Sequence, residues 1–287
     1  MDIQKVIDKS KELQSAFDDI LQKASPFEIK AILNSEILFF ISIIQELGIK
    51  HIIESGRARG QSTELITRFA MLKDIKFDSI EYDYLSEDVS ICAERLYPIK
   101  DHVQLHFGDA NKIAPSLLQE EKPTALIIDG PKGAEGALLA VELMDKHPNI
   151  KAAFLHDIHR ASQPLRQILE DNFCDLIASD QKEFVEAFSF LDTPCWEEHQ
   201  KYPQTKDWGP YQRGPRKMPS YGPTLICLYF KTRHTDMKSI IQTLLTTKKQ
   251  EFEKAHVVRK ILRSFIPDKW KSSDWYMKSR KLLLRRN

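Results

Sequence analysis

A Rossmann-like α/β fold, with a doubly wound and mostly parallel sheet between helices, is what this sequence of 287 residues predicts. Five short apolar runs, IKHIIE, FDSIEY, HVQLHF, TALIID and AAFLHD, begin near positions 49, 77, 102, 124 and 152. Their spacing of about 25 residues suits a strand, a crossover helix and two turns, and runs this short and this apolar suit strands buried on both faces. The first run ends in a turn with glycines at 56 and 60, and acids stand at or just past the end of every run: Glu54, Glu81, Asp109, Asp129 and Asp157. An open parallel sheet binds its ligands at those carboxyl ends.

Residues 1–48 read as an N-terminal helical cap. Leu13, Phe17, Ile20 and Leu21 fall at helical spacing, and the stretch Ile37–Ile44 is nearly all apolar, which suits a helix buried against the body or against a second copy in a homodimer. Residues 49–231 form the sheet domain. After a helix over about Gln163 to Asn172, EFVEAFSFL and TLICLYFK read as two more strands, making seven. Between them, residues 192–223 form a loop insertion rich in Pro, Gly, Trp and Tyr, and a loop of that length in a compact domain is usually functional. Trp196, Tyr202, Trp208, Tyr211 and Tyr221 offer walls for an acceptor pocket, with Arg213, Arg216 and Lys217 for an anionic or glycan substrate; packing of the loop on the body is the plainer reading. Residues 232–287 read as a basic amphipathic helical tail, helical from about Met237 to Phe265.

Charge divides the chain in the same way. The net charge of +1 combines 16 Lys+Arg against 5 Asp+Glu from Lys231 onward with 26 against 36 in residues 1–230. A hydrophobic share of 42% supports a packed core and excludes disorder and fibres. Cys92, Cys174, Cys195 and Cys227 are far apart with no C-x-x-C pair, which speaks against structural zinc and disulfides and for a reducing, cytoplasmic setting. No run of about 18 apolar residues is present. The tail admits three readings: peripheral contact with an anionic membrane, through its cations and Trp270, Trp275 and Tyr276; nucleic acid, the weaker of the two external partners; or a helix docked on the acidic body.

The turn Glu54-Ser55-Gly56-Arg57-Ala58-Arg59-Gly60-Gln61-Ser62 leads from the first run into helical spacing at Leu65, Ile66 and Phe69. It lacks the Gly-Lys-Ser/Thr of a phosphate loop, and a dinucleotide fingerprint would need glycine at Ala58. Its order, E-x-G-x-x-x-G-x-S, resembles the first motif of class I S-adenosylmethionine-dependent methyltransferases, and most nearly that of small-molecule O-methyltransferases of the catechol O-methyltransferase type. Three more segments are similar in register: Ile80-Glu81-Tyr82-Asp83, Phe107-Gly108-Asp109-Ala110, and Asp129-Gly130-Pro131-Lys132. The resemblance spans about residues 48–231 and implies an antiparallel strand at the far edge of the sheet. It also implies S-adenosylmethionine held by Glu54, Gly56, Gly60, Ser62, Glu81, Asp109, Ala110 and Asp129. Glu81 would take the ribose hydroxyls, and Asp109 and Ala110 would lie beside adenine; as a residue, Asp109 suits a helix cap equally well.

Methyl transfer displaces a sulfonium in line, so the protein must align donor and acceptor and remove the acceptor's proton. The resemblance gives Lys132 the part of base, for which its pKa would have to be depressed. It also implies a divalent metal on Asp129 and Asp157, but Ile158 stands where the family carries an amide ligand. A softer metal on Asp129, Asp157 and His159, or a metal-free site with His156 or His159 as base beside Asp157, are the alternatives. The catalytic candidates are therefore Asp129, Lys132, Asp157 and His159. O-methylation of a small-molecule or sugar hydroxyl is the leading expectation. An NAD-dependent oxidoreductase, or a non-catalytic methyltransferase-like protein working through its tail, are the others.

Overall fold

The computed structural model describes residues 1–29, 31–118, 121–158, 164–173, 176–203, 225–229 and 236–264, with side chains of the last segment described to residue 253. Seven strands form one sheet: β1 (His51–Ser55), β2 (Lys76–Glu81), β3 (Gln104–Phe107), β4 (Thr124–Ile128), β5 (Ile150–Leu155), β6 (Ile177–Ala178) and β7 (Ile226–Tyr229). Their order is β3-β2-β1-β4-β5-β7-β6. Strands β3 to β5 run parallel, and β7 lies antiparallel to both β5 and β6. This is the sheet the sequence predicts, with the antiparallel strand second from the edge. A dinucleotide fold of the common order 3-2-1-4-5-6 carries no such strand.

Period-two alternation sorts the strand side chains into two cores. On one face Ile52, Phe77, Ala125 and Phe154 pack under α1 (Ile3–Lys23), α2 (Asn34–Glu46) and α3 (Gln61–Lys73). On the other, Ile53, Ile80, Leu126 and Leu155 pack under α5 (Ala110–Leu117), α6 (Gly133–Lys146) and α7 (Leu165–Asn172). The helix α4 (Asp88–Leu96) follows β2. Helix α1 buries Val6, Leu13, Phe17 and Ile20, one stripe at helical spacing. Helix α2 is buried over Asn34–Ile44, so it belongs to the core.

Three expectations change. EFVEAFSFL is helical, as α8 (Lys182–Phe188) followed by a 3₁₀ turn at Ser189–Asp192. Phe184 and Phe188, four apart, are both buried on one side, a helical repeat that the run of apolar residues disguised. The sixth strand is instead the two-residue β6. The expected loop begins with a helix, α9 (Thr193–Gln200), whose Trp196 is buried beside Leu33 and Cys195. Trp196 is thus a packing residue, and Tyr202 is 39% exposed. Trp208, Tyr211, Arg213, Arg216, Lys217 and Tyr221 lie outside the described residues.

The tail helix α10 (Met237–Ser264) begins as predicted. It is docked: Ile240 and Leu244 are buried in the second core, Lys248 pairs with Glu135 at 3.0 Å, and Glu251 accepts from the Ala134 amide at 3.3 Å. The apolar face of its first half therefore meets the acidic body. Trp270, Trp275 and Tyr276 lie outside the described residues. No helix among the described residues is long and apolar enough to cross a membrane.

Candidate active site at the strand ends

The β1–α3 turn is built by contacts within the protein. Gly56 has φ +87°, and a Cβ there would stand 2.6 Å from the Gly130 amide nitrogen. Only glycine lets the turns after β1 and β4 touch, and the Asp129 and Gly130 amides both donate to the Ser55 carbonyl, at 2.8 and 2.9 Å. Gly60, at φ +78°, begins α3 and would collide with Cys92 Sγ on α4 if it carried a Cβ. The first glycine thus brings Asp129 to the first turn, and the second admits α4.

Glu54 is fully buried and accepts three hydroxyls at 2.6 Å, from Ser62, Thr63 and Ser79. Burial raises its pKa, against the opposing pull of those hydroxyls. Glu54 and Ser62 are spent on each other, joining β1, α3 and β2. Glu81 accepts from the Arg57 and Ala58 amides at 3.1 and 2.9 Å and from the Asp83 amide at 3.1 Å. It therefore holds the turn against the end of β2 and remains partly exposed. Asp109 caps α5 by accepting from the Asn111 amide at 2.9 Å, and Ala110 is buried in the second core.

Arg57 was not among the sequence candidates. It is 4% exposed, donates to the Ser79 and His106 carbonyls at 2.7 and 3.0 Å, and stacks over Phe107 at 4.5 Å. One side chain thereby ties the first turn to the ends of β2 and β3. Beside it a cavity of about 120 Å³ lies between Arg57, Gln61, Ser62 and Asp129 on one side and Ala31 and Ile32 of the α1–α2 connection on the other.

At the ends of β4 and β5, Lys132 donates to Asp129 and, at 2.5 Å, to Asp157, whose backbone has φ +63°. His156 is buried. Its Nδ1 stands 2.5 Å from Asp129 Oδ1, and its Nε2 faces Glu36 Oε2 at 3.6 Å, an ion pair too long for a hydrogen bond. Burial alone would lower the His156 pKa, but Asp129 and Glu36 outweigh it and hold the ring at about 10, as an imidazolium at neutral pH. Lys132 behaves alike: desolvation opposes its charge, yet Asp129 and Asp157 push its pKa up. Neither group is tuned as a neutral base. His159 lies outside the described residues.

Glu36 was also missed. The signal was a carboxylate inside an apolar helix, which must find a partner when buried. It sits in the third position of α2 and accepts from the Leu33 amide at 3.1 Å.

The donor atoms of Asp129, His156 and Asp157 lie within 4.8 Å of one another, a spacing open to a metal ion. Against a hard divalent ion stand the Lys132 ammonium in contact with both carboxylates, and the hydrocarbon of Ile158, 3% exposed, in place of a third oxygen. The set does not fit that ion.

No protein-family model and no curated protein matches this chain. Among solved structures it is similar to a putative caffeoyl-CoA O-methyltransferase from Staphylococcus aureus, at 14% identity and TM-score 0.36 over 77% of this chain and 92% of that one. It is similar also to the SAH-bound methyltransferase PaMTH1 of Podospora anserina, at 13% and 0.39 over 79% and 88%. A third is TomG of Streptomyces achromogenes, an O-methyltransferase involved in tomaymycin synthesis in complex with SAM, at 15% and 0.39 over 78% and 89%.

Proposed function

We propose that this chain is an S-adenosylmethionine-dependent methyltransferase that methylates a hydroxyl of a small-molecule or sugar acceptor. The observation that supports it best lies at the switch point of the sheet, where an open parallel sheet has its ligand crevice: the Gly56–Gly60 turn touches both Glu81 at the end of β2 and the turn after β4, and Lys132 links Asp129 to Asp157. In this reading Glu81 takes the ribose hydroxyls with the lone pairs its three amide donors leave, and Asp109 and Ala110 border the adenine. Glu54 and Ser62 act one layer down, by fixing the turn. Asp129 borders the sulfonium.

The transfer breaks the methyl carbon–sulfur bond as the carbon–oxygen bond forms, and the acceptor's proton must leave. Asp157, at 37% the most exposed carboxylate of the group, takes it in this reading, while Lys132 donates to the acceptor oxygen. Calorimetry with S-adenosylhomocysteine and with NAD tests the cofactor. Saturable binding of the former alone is expected; NAD binding in its place would return the chain to the oxidoreductase class.

A further inference from the structure

We propose that Lys132 takes the place of the divalent cation that the resemblance implies, so that the crevice works with a charge the chain itself supplies. This rests on the methyltransferase reading for its consequence and on the geometry alone for its content. The two carboxylates that would coordinate the ion, Asp129 and Asp157, come from the turns after β4 and β5 and converge on one point. The Lys132 ammonium stands there, in contact with both. The third oxygen ligand is replaced by Ile158, buried as hydrocarbon. His156 Nδ1, 3.5 Å from Lys132 Nζ, is directed at Asp129 Oδ1 and is held from behind by Glu36. A hard ion would need three or more waters to complete its shell here, and would have to expel the lysine.

The exchange narrows the acceptor. A hard cation with open positions can bind two neighbouring oxygens of one substrate at once. An ammonium has three donors. Two are used on Asp129 and Asp157, which leaves one for a single acceptor oxygen. The substrate this site fits therefore presents one hydroxyl with no neighbouring oxygen required for binding.

Titration with Mn²⁺ alone, followed by electron paramagnetic resonance and by thermal unfolding, tests the substitution. The wild-type chain should show no site tighter than about 1 mM. K132M should gain one Mn²⁺ site and unfold at higher temperature when the ion is present, and K132M/D157N should lose both effects. K132R, which keeps the charge, should stay without a site. If K132M fails to fold, K132Q carries the same measurement with a neutral side chain of similar reach. A wild-type Mn²⁺ site that D157N removes would overturn the proposal, as would a folded Lys132 variant of neutral charge that gains no site. S-adenosylhomocysteine binding in the same wild-type sample separates the two readings: its absence would end the methyltransferase assignment and leave the metal titration as informative as before.

Discussion

Glu54, at the end of β1, has its carboxylate satisfied entirely within the protein. Its three hydroxyl donors come from α3 and β2, and the side chain is sealed from solvent. Replacing it with Gln keeps the shape but gives the cage an NH₂ facing hydroxyls that had each found an acceptor. A loss of about 1–3 kcal/mol is expected from urea unfolding, the usual cost of spoiling a buried polar set. Cofactor affinity should fall only as far as the turn loosens. An E54Q chain as stable as wild type would mean the cage holds nothing in place. The two glycines separate in the same way. Gly60→Ala meets Cys92 Sγ, a side-chain atom, whereas Gly56→Ala meets the backbone of Gly130. Removing the sulfur in G60A/C92A should recover part of the melting temperature lost in G60A, leaving only the strain of a positive φ, about 1–2 kcal/mol. No single change opposite Gly56 offers such relief, so G56A should lose both stability and S-adenosylhomocysteine binding.

Elements were legible in the sequence to the extent that one local rhythm decided them. The strands β1, β2, β4 and β5, with α1, α2 and the start of α10, carry apolar residues that the fold buries as expected; β3 does not, since as an edge strand it leaves Leu105 and Phe107 39% and 46% exposed. The segment 183–191 has apolar residues at both spacings, and the choice between strand and helix is made by packing such as that of Phe184 on Phe39 of α2, which no short window contains. In the site, the acids at strand ends could be placed from strand ends alone. What could not be placed was the pairing of Lys132, His156 and Glu36, since it depends on where α2 crosses the sheet. The tail illustrates the same limit: its amphipathic pattern fits a membrane as well as a protein, and the buried Ile240 and Leu244 answer that for the first half of α10. Leu244→Ala should therefore cost about 2–5 kcal/mol in urea unfolding, as for other core leucines. A loss below about 0.5 kcal/mol would show that the helix is not part of the core.

Across the whole molecule, the junction between the cap and the sheet gathers groups whose folded pKa values are raised, and this sets how stability depends on pH. Glu36 on α2 faces His156 at the end of β5, and Asp192 accepts from the Ser35 amide and hydroxyl at 2.8 and 2.7 Å. Burial chiefly, with a push from Glu36, moves Asp192 to about 8, against the pull of Ser35. His156 reaches about 10 because Asp129 and Glu36 overcome its desolvation. Both groups hold a proton in the folded chain that the unfolded chain has already released, Asp192 from its ordinary 3.8 upward and His156 from 6.5 upward. Stability from each is complete below those values and is lost as pH rises through the folded ones. Asp78, lowered because His51 and His106 outweigh its burial, acts in the opposite sense and loses its contribution as pH falls through its folded value. The unfolding free energy should thus decline from mildly acidic pH toward pH 10, by up to about 1.4 kcal/mol per pH unit for each proton retained. Urea unfolding of H156Q should show a shallower decline than wild type between pH 6.5 and 10. D192N should be shallower below about pH 8. Parallel profiles for wild type and H156Q would mean that His156 holds no extra proton in the folded chain, leaving Lys132 as the cation on Asp129.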